Sequence, residues 1–184
     1  MMMLTHDQII YALGREHGLV HGQDFIAGQR IDQQTGQQLE DAFIVRWNAA
    51  IPEPTKQELA ALCARYTLGY AREAKLSEIN ARFSAEAAAV LAPYPEEERA
   101  TWPFQQREAL DWGGNNATPT PYLDGLAAVR GLDPAVMRQK TLDQVQQFVA
   151  ISQQLVGKRQ RLRDAVYAVQ DGPDAAAELA AIEW

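Results

Sequence analysis

The sequence predicts an α+β protein, predominantly α: a small N-terminal helix-plus-β-hairpin module followed by an antiparallel helical bundle. Three observations carry that prediction. Before residue 50 apolar residues are sparse and glycines frequent (Gly14, Gly18, Gly22, Gly28, Gly36), whereas Ala- and Leu-rich stretches dominate after it. Phe43, Val45 and Trp47 alternate with Ala42, Ile44 and Arg46, the period of a half-buried strand. Thr55 followed three residues later by Glu58 is a capping box at the head of a long helical pattern. The expected division is a module over 1–50, a hinge at 51–54, a bundle over 55–172 and an acidic tail over 173–184. Pro52 and Pro54 hold the hinge extended, because each restricts the residue before it.

The first module opens with a short helix in which Ile9, Ile10, Leu13 and His17 share a face and Gly18 is the stop. Two strands follow, Asp24 to Ile31 and Asp41 to Trp47, around the turn-prone Asp32-Gln33-Gln34-Thr35-Gly36. A lone hairpin is barely stable in water, so this one must pack on the first helix or on another chain. From Thr55, the residues Leu59, Leu62, Tyr66, Leu76, Ile79, Phe83 and Val90 read as one long amphipathic helix, with a bend near Gly69 and an end before Pro93. Glu96, Glu97 and Glu98 suit the first turn of a new helix. Trp102-Pro103 restarts a helix that runs to Trp112, and Gly113-Gly114-Asn115-Asn116 reads as a loop. Pro121 to Arg130 is helical, with Gly131 as a left-handed terminator. Asp133-Pro134 then supplies an N-cap and a first-turn proline. The last long helix carries Val145, Phe148, Ser152, Leu155, Leu162, Val166 and Val169 along one seam. That seam faces either its own bundle or a second copy of the chain, so a homo-oligomer through the long helices is a candidate assembly.

Composition narrows the function. Seventeen Lys and Arg against 24 Asp and Glu give a net charge of -7, the wrong balance for a general nucleic-acid binder, which needs a basic face to displace phosphate counterions. No apolar run reaches the roughly 20 residues of a membrane span, so no membrane partner is expected. The start, Met1-Met2-Met3-Leu4-Thr5-His6-Asp7, has no basic region followed by an apolar core and does not read as a signal peptide. A single cysteine, Cys63, allows no internal disulfide and suits a reducing compartment.

Chemistry is not conspicuous. His6, His17 and His21 all fall in the first 21 residues, and His17 and His21 have the spacing of two metal ligands on one helix turn. Gly18 and Gly22 argue against a continuous helix there, so solvated or locally hydrogen-bonded histidines are the better reading. Cys63 lies on the apolar face of Leu59, Leu62 and Tyr66 and reads as a structural thiol. Ser77, Ser84 and Ser152 all sit in helical stretches, not in a nucleophile turn. Gly157-Lys158 lacks the rest of a phosphate loop. Lys158, Arg159, Arg161 and Arg163 form the basic cluster and read as a solvated face with ion pairs to Asp164 and other acids. The expectation is a protein without catalysis, cofactor or metal. The more suggestive feature is aromatic: Tyr94, Trp102, Phe104, Trp112 and Tyr122 fall within 30 residues beside loops and prolines. They either plug the ends of the bundle or form a patch that grips a partner.

Several short stretches resemble a family of phage proteins. Ile79-Asn80-Ala81, Tyr94-Pro95-Glu96-Glu97-Glu98, Thr101-Trp102, Gln105-Gln106, Glu108-Ala109, Thr118-Pro119, Leu123-Asp124, Ala128-Val129-Arg130-Gly131 and Val156-Gly157-Lys158-Arg159-Gln160 are similar to the tail-fibre assembly chaperones and small tail proteins encoded beside tail-fibre genes. Gly22-Gln23-Asp24-Phe25, Ile44 to Asn48 and Pro52-Glu53-Pro54-Thr55 leading into Glu58-Leu59 resemble a further phage tail module. Gly113-Gly114-Asn115-Asn116 and Trp112 depart from the usual pattern. The resemblance implies a non-enzymatic chaperone, acting in the host bacterial cytoplasm during assembly, that binds the distal tail fibre and aids its folding or trimerisation. The alternative it implies is a structural component of the tail or fibre tip retained in the virion. In either case the candidate contacts are Phe43, Val45 and Trp47 on the hairpin, and Tyr94, Trp102, Phe104, Trp112 and Tyr122 on the aromatic belt.

Overall fold

The structure is a computed structural model that describes residues 3–184; Met1 and Met2, at the start of the segment tested for a signal peptide, lie outside the described residues. The chain is 63% helical with one small two-stranded sheet, the predominantly α form of α+β that the sequence predicts. It divides into two compact units. One holds the residues up to Ser77 together with Ala165–Glu183, and the other holds Glu78–Asp164 with Trp184. The Pro52–Pro54 segment lies inside the first unit, between the hairpin and the next helix.

In the first unit, α1 (His6–His17) starts at a capping box. The Gln8 amide donates to Thr5 Oγ1 at 3.3 Å, and Gln8 Oε1 accepts from the Thr5 amide at 2.9 Å. Gly18 ends the helix at φ +68° with its N–H on the Gly14 carbonyl, a conformation in which a Cβ would be strained. Ile9, Ala12 and Leu13 are buried, whereas His17 is exposed rather than sharing their face.

Strands β1 (Phe25–Gly28) and β2 (Phe43–Trp47) pair antiparallel, with Phe25 opposite Trp47, Ile26 opposite Arg46, Ala27 opposite Ile44 and Gly28 opposite Phe43. The register slips between Ile26 and Ala27, leaving Val45 without an opposite number. That bulge breaks the expected alternation. Ile44 and Trp47, three apart, both pack on the core, while Val45 is 59% exposed. Between the strands the Asp32 turn forms as the sequence predicts: its carboxylate accepts from the Gln34 and Thr35 amides, each at 2.8 Å.

Helix α2 (Lys56–Arg65) begins at the predicted box, with the Thr55 amide donating to Glu58 Oε2 at 2.7 Å and the Glu58 amide donating to Thr55 Oγ1 at 3.3 Å. Its Leu59, Leu62 and Cys63 join Ile9, Leu13 and Phe25 in one core. The hairpin therefore has the company it needs. Each such fully buried apolar side chain contributes about 1.5–3 kcal/mol.

The helix expected over 55–91 is interrupted at Tyr66, and α3 (Thr67–Leu91) continues after it. The break falls three residues before Gly69. Tyr66 leaves helical geometry (φ -98°, ψ 5°) while its hydroxyl donates to Glu16 at 2.7 Å. Gly69 serves packing instead of bending. A Cβ there would stand 2.8 Å from the Tyr11 hydroxyl, so its lack of one admits the tyrosine.

In the second unit α4 (Glu96–Arg99) is a single turn rich in acids, and α5 (Trp102–Gly114) runs through Gly113 and Gly114 instead of stopping at Trp112. Gly113 has a packing role within the helix: a Cβ would meet Leu142 at 3.0 Å. Helix α6 (Pro121–Arg130) ends at Gly131 with φ +63°, as predicted. Helix α7 (Pro134–Ala168) starts where Asp133 Oδ1 accepts from the Ala135 amide at 2.8 Å and the Val136 amide at 3.3 Å. From Leu142 to Arg161 no residue of α7 is buried. Beyond that, in the first unit, Val166 and Val169 are buried, as are Ala175 and Leu179 of α8 (Ala175–Ala180). The Arg72 guanidinium donates to the Val169 carbonyl.

Candidate aromatic binding site

A polar network ties together the three helices of the second unit that carry Trp102, Phe104, Tyr122 and Phe148. Thr120 makes no side-chain cap for α6. Instead the buried Glu108 of α5 reaches across, its two carboxylate oxygens accepting from the Tyr122 amide at 3.1 Å and the Leu123 amide at 3.0 Å. Asp124 then holds Arg138 of α7 through contacts of 2.7 and 2.9 Å from Nη2 and 3.0 Å from Nε, while Arg138 Nε also donates to Thr120 Oγ1 at 2.6 Å. Helices α5, α6 and α7 are thereby tied together by charged hydrogen bonds around a buried threonine.

Against this frame an open cavity of about 460 Å³ lies among the end of α3, α4, α5 and α7, within the roughly 300–1,000 Å³ of ligand sites. Its aromatic wall is a chain of three rings. Tyr94 and Trp102 meet edge to face at 5.1 Å, and Trp102 and Phe148 do so at 5.7 Å. Val90, Val145 and Ile151 extend the apolar floor, and Glu98, Gln106, Gln144 and Gln147 supply polar groups.

The aromatic belt is thus not one surface. Tyr94 and Trp102 line the cavity. Phe104, 52% exposed, stacks on Tyr122 at 6.0 Å as a separate pair. Trp112 is half-buried and makes none of the ring contacts among the described residues. Phe148 completes the cavity wall. In the sequence it belongs to the α7 seam, and spacing alone does not show that this seam turns an aromatic toward Trp102.

On the hairpin, Phe43 is half-buried and Val45 is exposed. Trp47 is a latch, its Nε1 donating to the Ile51 carbonyl at 2.8 Å with its ring 6.1 Å from Phe25.

The remaining candidates serve the fold. Cys63 is buried, its thiol pushed up to about 11 by that burial, which suppresses the reactive thiolate. His6 and His21 meet ring to ring at 5.1 Å, and among the described residues no three His, Cys, Asp or Glu side chains are grouped to hold a metal ion. The basic cluster is engaged. Lys158 lies over the Trp184 ring at 4.4 Å, Arg159 Nε donates to Asn80 at 2.7 Å and Arg163 pairs with Asp164 at 3.0 Å. Among the described residues no helix is long and apolar enough to cross a membrane.

Fold and site together define a small, mostly helical protein with a hairpin module and an open aromatic cavity. Residues 15–71, from the end of α1 through the hairpin and α2 into α3, match the family model of the XkdW protein, and residues 143–184 match that of the HI1402 helical domain. The XkdW likeness, over less than a third of the chain, indicates a phage-related protein. No match is found among curated proteins or among solved structures.

Proposed function

We propose that this chain is a non-enzymatic tail-fibre assembly chaperone of a phage or prophage, which binds the distal fibre in the host cytoplasm and aids its folding or trimerisation. The observation that carries the reading is the open cavity walled by Tyr94, Trp102 and Phe148. It offers aromatic anchors and glutamine amides to an extended segment, the chemistry with which partner proteins are gripped. Tail fibres, which the sequence resemblance implies as the partner, are long, interwoven β-rich trimers. Such non-local pairing is slow and exposes apolar strands while it proceeds, so a helper that holds one segment would act during that window. Nothing in this role calls for a nucleotide or a metal.

The test is co-expression with the neighbouring fibre gene, scoring soluble, SDS-resistant fibre trimer with and without this chain. Trimer that forms only in its presence supports the proposal. A fibre that folds equally well alone overturns it, and mass spectrometry of purified particles then asks whether the chain is a stoichiometric component of the tail.

A further inference from the structure

The cavity carries a chemical asymmetry that a purely apolar ligand would leave unused. Glu98 lines it, no Lys or Arg side chain does, and among the described residues Glu98 enters none of the ion pairs. The three aromatic rings beside it are set nearly at right angles, 80° between Tyr94 and Trp102 and 68° between Trp102 and Phe148. Each ring has an electron-rich face that attracts a cation. Edge-to-face packing covers part of those faces with a neighbour's rim, and what is left suits a compact, tetrahedral ammonium. A planar guanidinium prefers to lie flat on a single face.

We propose that this cavity binds a lysine side chain presented by an extended segment of the partner protein, with the ammonium held by Tyr94, Trp102, Phe148 and Glu98. Gln106, Gln144 and Gln147 line the same space and have both donors and acceptors for the flanking main chain. The inference deepens the fibre-docking reading and rests on it only for who supplies the lysine.

The experiment uses the full chain and three uncharged-backbone probes, Nα-acetyl-lysine N-methylamide and its norleucine and arginine counterparts. Binding is followed by NMR at the Trp102 indole N–H, assigned with Trp102→Phe. The lysine compound is expected to shift that signal and to bind about fivefold more tightly than the norleucine compound. Glu98→Gln should shrink the preference while leaving the circular dichroism unchanged. Equal binding of the lysine and norleucine probes, tighter binding of the arginine analogue, or no shift at all overturns the proposal. The two readings fail separately. Fibre trimer promoted by a chain that does not prefer lysine removes this inference and keeps the chaperone. Lysine preference in a chain that leaves the fibre unaffected does the reverse.

Discussion

Glu108 illustrates how one side chain holds a helix that begins 13 residues further on. Its carboxylate is the acceptor for two amides of α6 that no local cap satisfies. Glu108→Ala should therefore cost about 1–2 kcal/mol in urea denaturation, and Glu108→Gln, which keeps one acceptor, clearly less. Cys63 gives a second residue-level expectation. With its thiol pushed up by burial to about 11, the folded protein should react with a disulfide reagent at least about tenfold more slowly than the denatured chain. A third concerns acid. Glu16 lies below the usual carboxylate range because the Tyr66 hydroxyl donates to it and Arg65 pairs with it, and hydrogen bonds hold Asp32 and Glu58 low as well. A carboxylate lowered by folding adds stability above its unfolded pKa and loses that contribution as pH falls through the folded value. The denaturation midpoint should thus drop on acidification below the ordinary carboxylate range, and Glu16→Gln should flatten that fall. The same contact raises Tyr66, whose contribution is present at neutral pH and lost as alkali ionises the phenol.

Helices and strands differ in how much of them was legible. The helix ends were, because the signals are local and stereochemical: the Thr55–Glu58 box, Gly131 in the left-handed region, and Asp133 before Pro134. The hairpin's inward face was not. Strict alternation assumes one residue opposite one, and nothing in the order Phe43-Ile44-Val45-Arg46-Trp47 marks Val45 as the unpaired residue. Gly113 misled in the other direction. Composition reads it as loop, yet its missing Cβ serves the approach of Leu142 within a continuous helix. This yields a paired test. Gly125, mid-α6 with open space around it, should gain about 1 kcal/mol on substitution by Ala. Gly113→Ala should gain much less, because its new methyl presses on Leu142.

At the scale of the molecule, the belt of five aromatics was visible as a cluster in sequence, but its partition was not, since that depends on which helix faces which. Two of the five share a cavity with Phe148, two stack on each other and one stands apart. Phe104→Ala should accordingly leave helical circular dichroism intact, while Trp102→Ala should reduce fibre binding in pull-down; loss of the fold in the latter would make Trp102 a core residue. The two compact units also have an unequal relation to the order of synthesis. The chain leaves the first unit after Ser77 and re-enters it only at Ala165. As the ribosome delivers the polypeptide from its N-terminus, every residue of Glu78–Asp164 emerges before the first unit has received Val166, Val169 and Leu179. The unit begun first thus waits for its closing segment until all of the second but Trp184 has emerged, and Arg72 waits nearly a hundred residues for the carbonyl it binds. A nascent chain exposed as far as Asp164 would hold a middle lacking only Trp184 and an unfinished beginning.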